Sequence, residues 1–201
     1  MAQMKARKAK IRRKTAETSI EVELNLDGSG KAKAASGVGF LDHMLELLSR
    51  HSRIDLNVSA AGDLDVDEHH LVEDVGIVLG QALAEALGAK QGIERYGSSL
   101  LPMDEVLVAV ALDLSGRFAF VSDYRPQRET VGDLPTELVP HFLRSLAVEA
   151  RMALHVRMLE PGENEHHRIE AIFKGLARAL REAVRIDPTA EDAIPSTKGR
   201  L

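Results

Sequence analysis

The feature that most constrains this chain is an internal repeat. Glu68-His69-His70-Leu71-Val72-Glu73 returns as Glu165-His166-His167-Arg168-Ile169-Glu170, 97 positions on. Upstream, His43 in Phe40-Leu41-Asp42-His43 is matched by His141 in Val139-Pro140-His141-Phe142, at an offset of 98. Leu24-Asn25-Leu26-Asp27-Gly28-Ser29-Gly30 and Val110-Ala111-Leu112-Asp113-Leu114-Ser115-Gly116-Arg117 share a strand-then-turn signature. Three markers in one order at nearly constant spacing define two copies of a unit of roughly 95 residues. Residues 1–92 and 93–201 are the expected halves. The linker from Gln91 to Ser99 is too short for them to be independent, so they should pack as one domain.

Each copy reads alike. Thr18–Leu24 alternates as a half-buried strand, and Val106–Leu114 is an apolar strand closing in a Ser-Gly turn. Helices are expected over Phe40–Arg50 and Glu137–Leu154, then short strands over Ile54–Val58 and His155–Met158. Long helices follow over His69–Leu87 and His166–Val184, closed by Gly88 and by Pro188 beyond the second. Strands and helices grouped in this way predict an α+β fold, two similar halves each with a mostly antiparallel sheet covered by helices.

The repeated element carries chemistry. Eight His stand in a chain with no Cys and no Trp, which excludes disulfides, thiolate metal sites and thiol catalysis. In a helix, residues three and four apart share a flank, so His69, His70 and Glu73 gather on one first turn and His166, His167 and Glu170 on the other. Imidazole with carboxylate is a ligand set for divalent transition metals. Adjacent histidines diverge by about 100°, so each pair would sooner serve two ions than one. With His43 and His141 the set is six His and two Glu, about four ligands for each of two ions. That leaves coordination positions open, as a catalytic site requires. His51 and His155 have no counterpart in the other copy and read as structural, the alternative being that one of them orients a metal ligand.

Charge is uneven. Lys5, Arg7, Lys8, Lys10, Arg12, Arg13 and Lys14 are seven of the 26 basic residues, and residues 1–14 contain no acid. A nucleic-acid-binding arm is one reading. With 3% aromatics and no stacking platform following it, a solvated lead-in to an edge strand is the better one, and no nucleic-acid partner is expected. No apolar run approaches membrane-spanning length and no signal-type segment opens the chain, so a cytoplasmic protein without a membrane partner is expected. Asp63-Leu64-Asp65-Val66-Asp67 imitates an EF-hand opening, but Glu68 stands where Gly is needed. No nucleotide-binding glycine motif occurs. Arg95, Arg117 and the segment Pro195-Ser196-Thr197-Lys198-Gly199 offer cations and hydroxyls on loops, where an anion could be held.

Taken together, these residues resemble the imidazoleglycerol-phosphate dehydratase family of histidine biosynthesis. The likeness runs from Thr15-Ala16-Glu17-Thr18 through Phe40-Leu41-Asp42-His43, Asp67-Glu68-His69-His70, Arg95-Tyr96-Gly97, Asp113-Leu114-Ser115-Gly116-Arg117, His141-Phe142 and Asn164-Glu165-His166-His167 to Pro195-Ser196-Thr197-Lys198-Gly199. The resemblance implies a hydro-lyase converting imidazole glycerol phosphate to imidazole acetol phosphate. It implies two manganese ions (Mn2+) per active site, held by His43, His69, His70, Glu73, His141, His166, His167 and Glu170, and stabilising an imidazolate. It places Glu17, Arg95, Arg117, Ser196, Thr197 and Lys198 on the substrate, the cations and hydroxyls around its phosphate. Glu17 is the expected base, with Glu73 and Glu170 the other carboxylates at the reacting centre. It also implies a homo-oligomer of 24 subunits with sites built between them. Phe118, Ser52 and Arg200 stand where the family commonly has Pro, Gly and a small residue. A non-catalytic metal-binding protein, or another two-metal enzyme on the same scaffold, is the competing expectation.

Overall fold

A computed structural model describes residues 6–191 and 193–199 of the chain; Lys5, Arg200 and Leu201 lie outside them. The first half begins with strands β1 (Lys8–Lys14), β2 (Thr18–Asn25) and β3 (Ala32–Ala35), followed by helix α1 (Gly39–Ser52), β4 (Asp55–Gly62) and α2 (His69–Leu87). The second repeats the plan with β5 (Tyr96–Met103), β6 (Val106–Asp113) and β7 (Ala119–Ser122). A small hairpin of β8 (Thr130–Val131) and β9 (Leu134–Pro135) precedes α3 (Leu138–Glu149), β10 (Ala153–Glu160) and α4 (Glu165–Ala183). Two four-stranded sheets result, ordered β1-β2-β4-β3 and β5-β6-β10-β7. All pairings within them are antiparallel except β3 on β4 and β7 on β10.

Period-two patterning builds each sheet's inner face. Along β2, Thr18, Ile20, Val22 and Leu24 are buried while Glu21 and Glu23 turn outward, and along β6 Val106, Val108, Val110 and Leu112 are buried. Each such side chain contributes about 1.5–3 kcal/mol of burial. The four helices lie between the sheets. α2 covers β1 and β2, α4 covers β5 and β6, and the helices meet as α1 on α4 and α2 on α3. Two glycines mark where helix and partner touch. A Cβ on Gly97 would stand 1.9 Å from the Ala179 carbonyl oxygen of α4, and one on Gly80 would stand 2.7 Å from that of Leu146 in α3.

The expected α+β architecture is present, and α2 begins and ends where expected. The helix expected over Glu137–Leu154 stops at Glu149. Ala150 and Met152 N–H groups close its end on Leu146 and Ala147, Arg151 takes a φ of 50°, and β10 begins at Ala153. The linker is shorter than expected as well, because Tyr96 to Ser99 belong to β5. The basic lead-in is itself an edge strand. Lys10 pairs with Glu21 and Glu23, Arg12 with Glu21, and Arg13 with buried Asp74. Among the described residues, no helix is long and apolar enough to cross a membrane.

Candidate metal centre

Each long helix is started so that its histidines stand on the first turn. The Asp67 carboxylate accepts from the His69 N–H at 2.8 Å, and the Asn164 side chain accepts from His166 N–H at 2.9 Å. His43 sits one turn into α1, whose start is held from the other half. Asp133, in the β8–β9 turn, accepts from the Gly39 and Phe40 N–H groups at 2.6 and 2.9 Å. Such a carboxylate satisfies otherwise orphaned donors and complements the helix dipole.

The packing of α1 on α4 and of α2 on α3 pairs the histidines across the halves. His43, from the first, meets His166 and Glu170 of the second. The two rings are 6.1 Å apart, His43 Nε2 is 3.7 Å from Glu170 Oε2, and His166 Nε2 is 2.9 Å from the same oxygen. One donor atom from each of these three residues lies within 4.8 Å of the others, a spacing that fits one divalent cation. Phe40 packs on His166 in a T-shaped arrangement, with ring centroids 5.0 Å apart. Burial pushes the Glu170 pKa up, but the Lys174 ammonium at 2.5 Å and the His166 contact outweigh it and hold the carboxyl below its ordinary value. A carboxylate kept ionised beside two imidazoles is a suitable donor set.

The reciprocal pair forms no such three-residue cluster among the described residues. His69 of α2 meets His141 of α3, with ring centroids 5.1 Å apart, while half-buried Glu73 is not drawn into a three-residue cluster with them. The second histidine of each pair contacts a different set of acids. His70 Nδ1 lies 3.0 Å from Asp63 and 3.9 Å from Glu17. His167 Nδ1 lies 2.9 Å from Glu105, with Nε2 3.5 Å from Asp104. These contacts raise both imidazole pKa values, through Asp63 foremost for His70 and Glu105 foremost for His167. In return His167, aided by backbone N–H donors, lowers the Glu105 pKa to about 2.

The anion-binding candidates gather elsewhere. Arg95, Arg117, Ser196, Thr197 and Lys198 line one open cleft with Tyr96 and Pro195. Arg95 is anchored by Asp113, with Nε and Nη2 contacts of 2.7 and 3.1 Å, and donates through Nη1 to the Pro195 carbonyl at 2.8 Å. No histidine lines this cleft. His51 and His155 join neither group. Burial foremost, with the Lys174 and Arg178 charges, lowers the His51 pKa, and His155 is exposed on β10. Sequence reasoning missed Asp63, Glu105, Asp133 and Lys174. Lys174 was legible as the residue one turn beyond Glu170. Asp63 lay inside the rejected EF-hand imitation, and nothing marked the other two.

This fold and site define a class: a duplicated α+β chain that gathers an imidazole–carboxylate cluster where helices of its two halves meet, with a separate cationic cleft. Relatives sharpen it. A family model described as imidazoleglycerol-phosphate dehydratase matches residues 36–180. The chain is 56% identical over 197 residues to imidazoleglycerol-phosphate dehydratase of Rhodopseudomonas palustris (strain BisB5), covering 97% of this chain and 98% of that one. It is 54% identical over 198 residues to that of Clostridium botulinum, covering 98% and 100%. The crystal structure of the Staphylococcus aureus enzyme superposes with a TM-score of 0.81 at 38% identity, over 90% of this chain and 99% of that one. The Pyrococcus furiosus structure superposes at 0.80 and 36%, over 95% and 100%. The chain belongs to the imidazoleglycerol-phosphate dehydratase family, lyases of histidine biosynthesis.

Proposed function

We propose that the chain dehydrates imidazole glycerol phosphate to imidazole acetol phosphate, with two manganese ions per active site. The observation that carries this reading is the convergence of His43, His166 and Glu170 from opposite halves, in a chain of this family. His69, His70, Glu73, His141 and His167 complete the proposed ligand set. The donors fit the ion, since neutral imidazole and ionised carboxylate suit a borderline-to-hard divalent metal. Manganese, when bound, supplies a Lewis acid that favours the deprotonated substrate ring. Arg95, Arg117, Ser196, Thr197 and Lys198 hold the phosphate, where a guanidinium already oriented by Asp113 needs little reordering. Glu17, exposed and 3.9 Å from His70, takes the proton from the carbon next to the one that loses hydroxide. Glu73 and Glu170 are the other carboxylates at the reacting centre, and Lys174 and His166 hold Glu170 ionised.

The active form in this reading is a cytoplasmic homo-oligomer of 24 subunits. Two features support assembly. His70 and His167 contact carboxylates and join neither cross-half histidine pair, leaving them for a neighbouring copy. The outer face of the second sheet also exposes Leu100, Val121 and Leu159. The test is turnover of imidazole glycerol phosphate with manganese and again after chelation. Product only with the metal is expected, and metal uptake without product would reject the dehydratase reading. Glu17→Gln should keep the metal and lose turnover; full turnover in that variant removes Glu17 as the base.

A further inference from the structure

Strand register aligns the two halves as far as a bulge between Met158 and Glu160 of β10. Val22 of β2 faces Val58 of β4, and Val110 of β6 faces Val156 of β10. On that alignment Glu17, in the turn between the first two strands of one half, corresponds to Glu105 in the turn of the other. The repeated HHxxE matches His70 to His167, and because β10 carries a bulge between Met158 and Glu160, Asp63, which follows β4, corresponds to Gly162 beyond β10.

The halves use these positions differently. In the first, Asp63 contacts the His70 ring through both oxygens, at 3.0 and 3.3 Å, and Glu17 is left exposed. In the second, the matching Gly162 has no side-chain acceptor to offer. Glu105 has taken over: its Oε2 lies 2.9 Å from His167 Nδ1. The same carboxylate is fixed at its other oxygen, where Oε1 accepts from the Glu163 and Asn164 N–H groups at 3.3 and 3.1 Å, in the loop entering α4. Gly162 makes room for it, since a Cβ there would stand 2.5 Å from Glu105 Cγ. Asp104, the other acid of this turn, lies 3.5 Å from Nε2 and is largely exposed.

We infer that Glu105 is a positioning residue for His167. It accepts the Nδ1 proton, fixes the tautomer and ring plane, and leaves the Nε2 lone pair for a metal ion. A neutral imidazole carries one N–H, and an acceptor held at Nδ1 decides which nitrogen keeps it. The inference rests on the metal reading of the preceding section and adds a residue that reading does not use.

The test is Glu105→Gln. The amide oxygen can still accept from Glu163 and Asn164, so the loop keeps its clamp, while the amide NH2 now faces Nδ1. The ring must then accept at Nδ1 and carry its proton on Nε2, where it cannot ligate. Manganese affinity, read by chelator competition at pH 8, should fall about 10–100-fold, with the metal-free unfolding temperature unchanged. In a His167→Gln background the same substitution should cost no further affinity. Should Glu105→Gln lower the unfolding temperature, this background separates a loosened loop from a lost ligand. Parent-like affinity, or an equal further loss without the imidazole, overturns the inference. Failure of the unsubstituted protein to bind manganese would instead overturn the metal reading itself.

Discussion

Arg168 offers the sharpest test of how the second HHxxE element is held in place. The residue and its partner Glu165 are each 2% exposed at the side chain, with Nη1 3.2 Å from Oε2. Arg168 also donates to the Pro161 carbonyl at 2.6 Å and to that of Gly162 at 2.5 Å. Glu165 accepts in addition from the Tyr124 hydroxyl at 2.6 Å and the Gln127 N–H at 2.9 Å. Burial, with the Glu165 hydrogen bond, pushes the Tyr124 pKa well above its ordinary value, so the phenol remains a donor. Arg168→Met removes the cation and strands a buried carboxylate and two carbonyls. Breaking a buried pair from one side costs about 3–5 kcal/mol. In a chain of this size that lowers the unfolding temperature by about 6–20 °C. Tyr124→Phe, which removes one hydrogen bond to a charged acceptor, should cost about 1.5–3 kcal/mol. Glu165→Gln with Arg168→Met neutralises both charges, and its loss should fall short of the two single losses added, by on the order of 2 kcal/mol. Urea and thermal unfolding of the metal-free protein, followed by circular dichroism, give these values without a contribution from metal. An Arg168→Met protein within 1 kcal/mol of the parent on that assay, or strict additivity in the double variant, would refute the assignment.

Three further outcomes follow from the geometry. Asp55 accepts from the N–H groups of Ser29, Gly30 and Lys31; burial pushes its pKa up, but these bonds and the Asn25 amide outweigh it, leaving it below its ordinary value. Its stabilisation is therefore complete above the unfolded value and is lost as pH falls through the folded one. Asp55→Asn should flatten a melting curve series recorded between about pH 2 and 5, and an unchanged slope would contradict it. Asp133→Ala removes the acceptor at the start of α1 and should cost about 1 kcal/mol, an unfolding-temperature drop of about 2–4 °C by differential scanning calorimetry. Gly97→Ala drives a methyl into the Ala179 carbonyl of α4 and should destabilise by at least about 1–3 kcal/mol in urea, where a neutral result would mean β5 and α4 separate readily.

Much of this was legible because the informative patterns were local. The start of α2 at His69 and its end at Leu87 follow from a periodic apolar stripe and from Gly88 beyond it. The end of α3 was not legible. Apolar residues continue at helical spacing past Glu149, no Gly or Pro interrupts them, and the break is made by Arg151 in a left-handed conformation. β5 hid for the opposite reason. Gly97, Ser98, Ser99 and Pro102 are turn-type residues, yet Gly97 is there because α4 lies too close for a side chain. The candidate ligands were legible from residue type and spacing. Their grouping was not, since it depends on which helix packs against which, a tertiary fact that no window of sequence carries.

That grouping changes what the duplication means. Taken as two self-contained copies, each half would gather its own upstream histidine and its own HHxxE. Instead the upstream histidine of each half stands against the helix start of the other, His43 with His166 and Glu170, and His141 with His69. Asp133 extends the exchange by holding the start of α1 from the second half. A half on its own would lose the contacts that His43 and His141 make across the interface, and would also expose the faces that α1 buries on α4 and α2 on α3. The helix–helix core and the candidate metal cluster are therefore one interface seen at two depths. Any substitution that shifts α1 relative to α4 must also move His43 relative to Glu170.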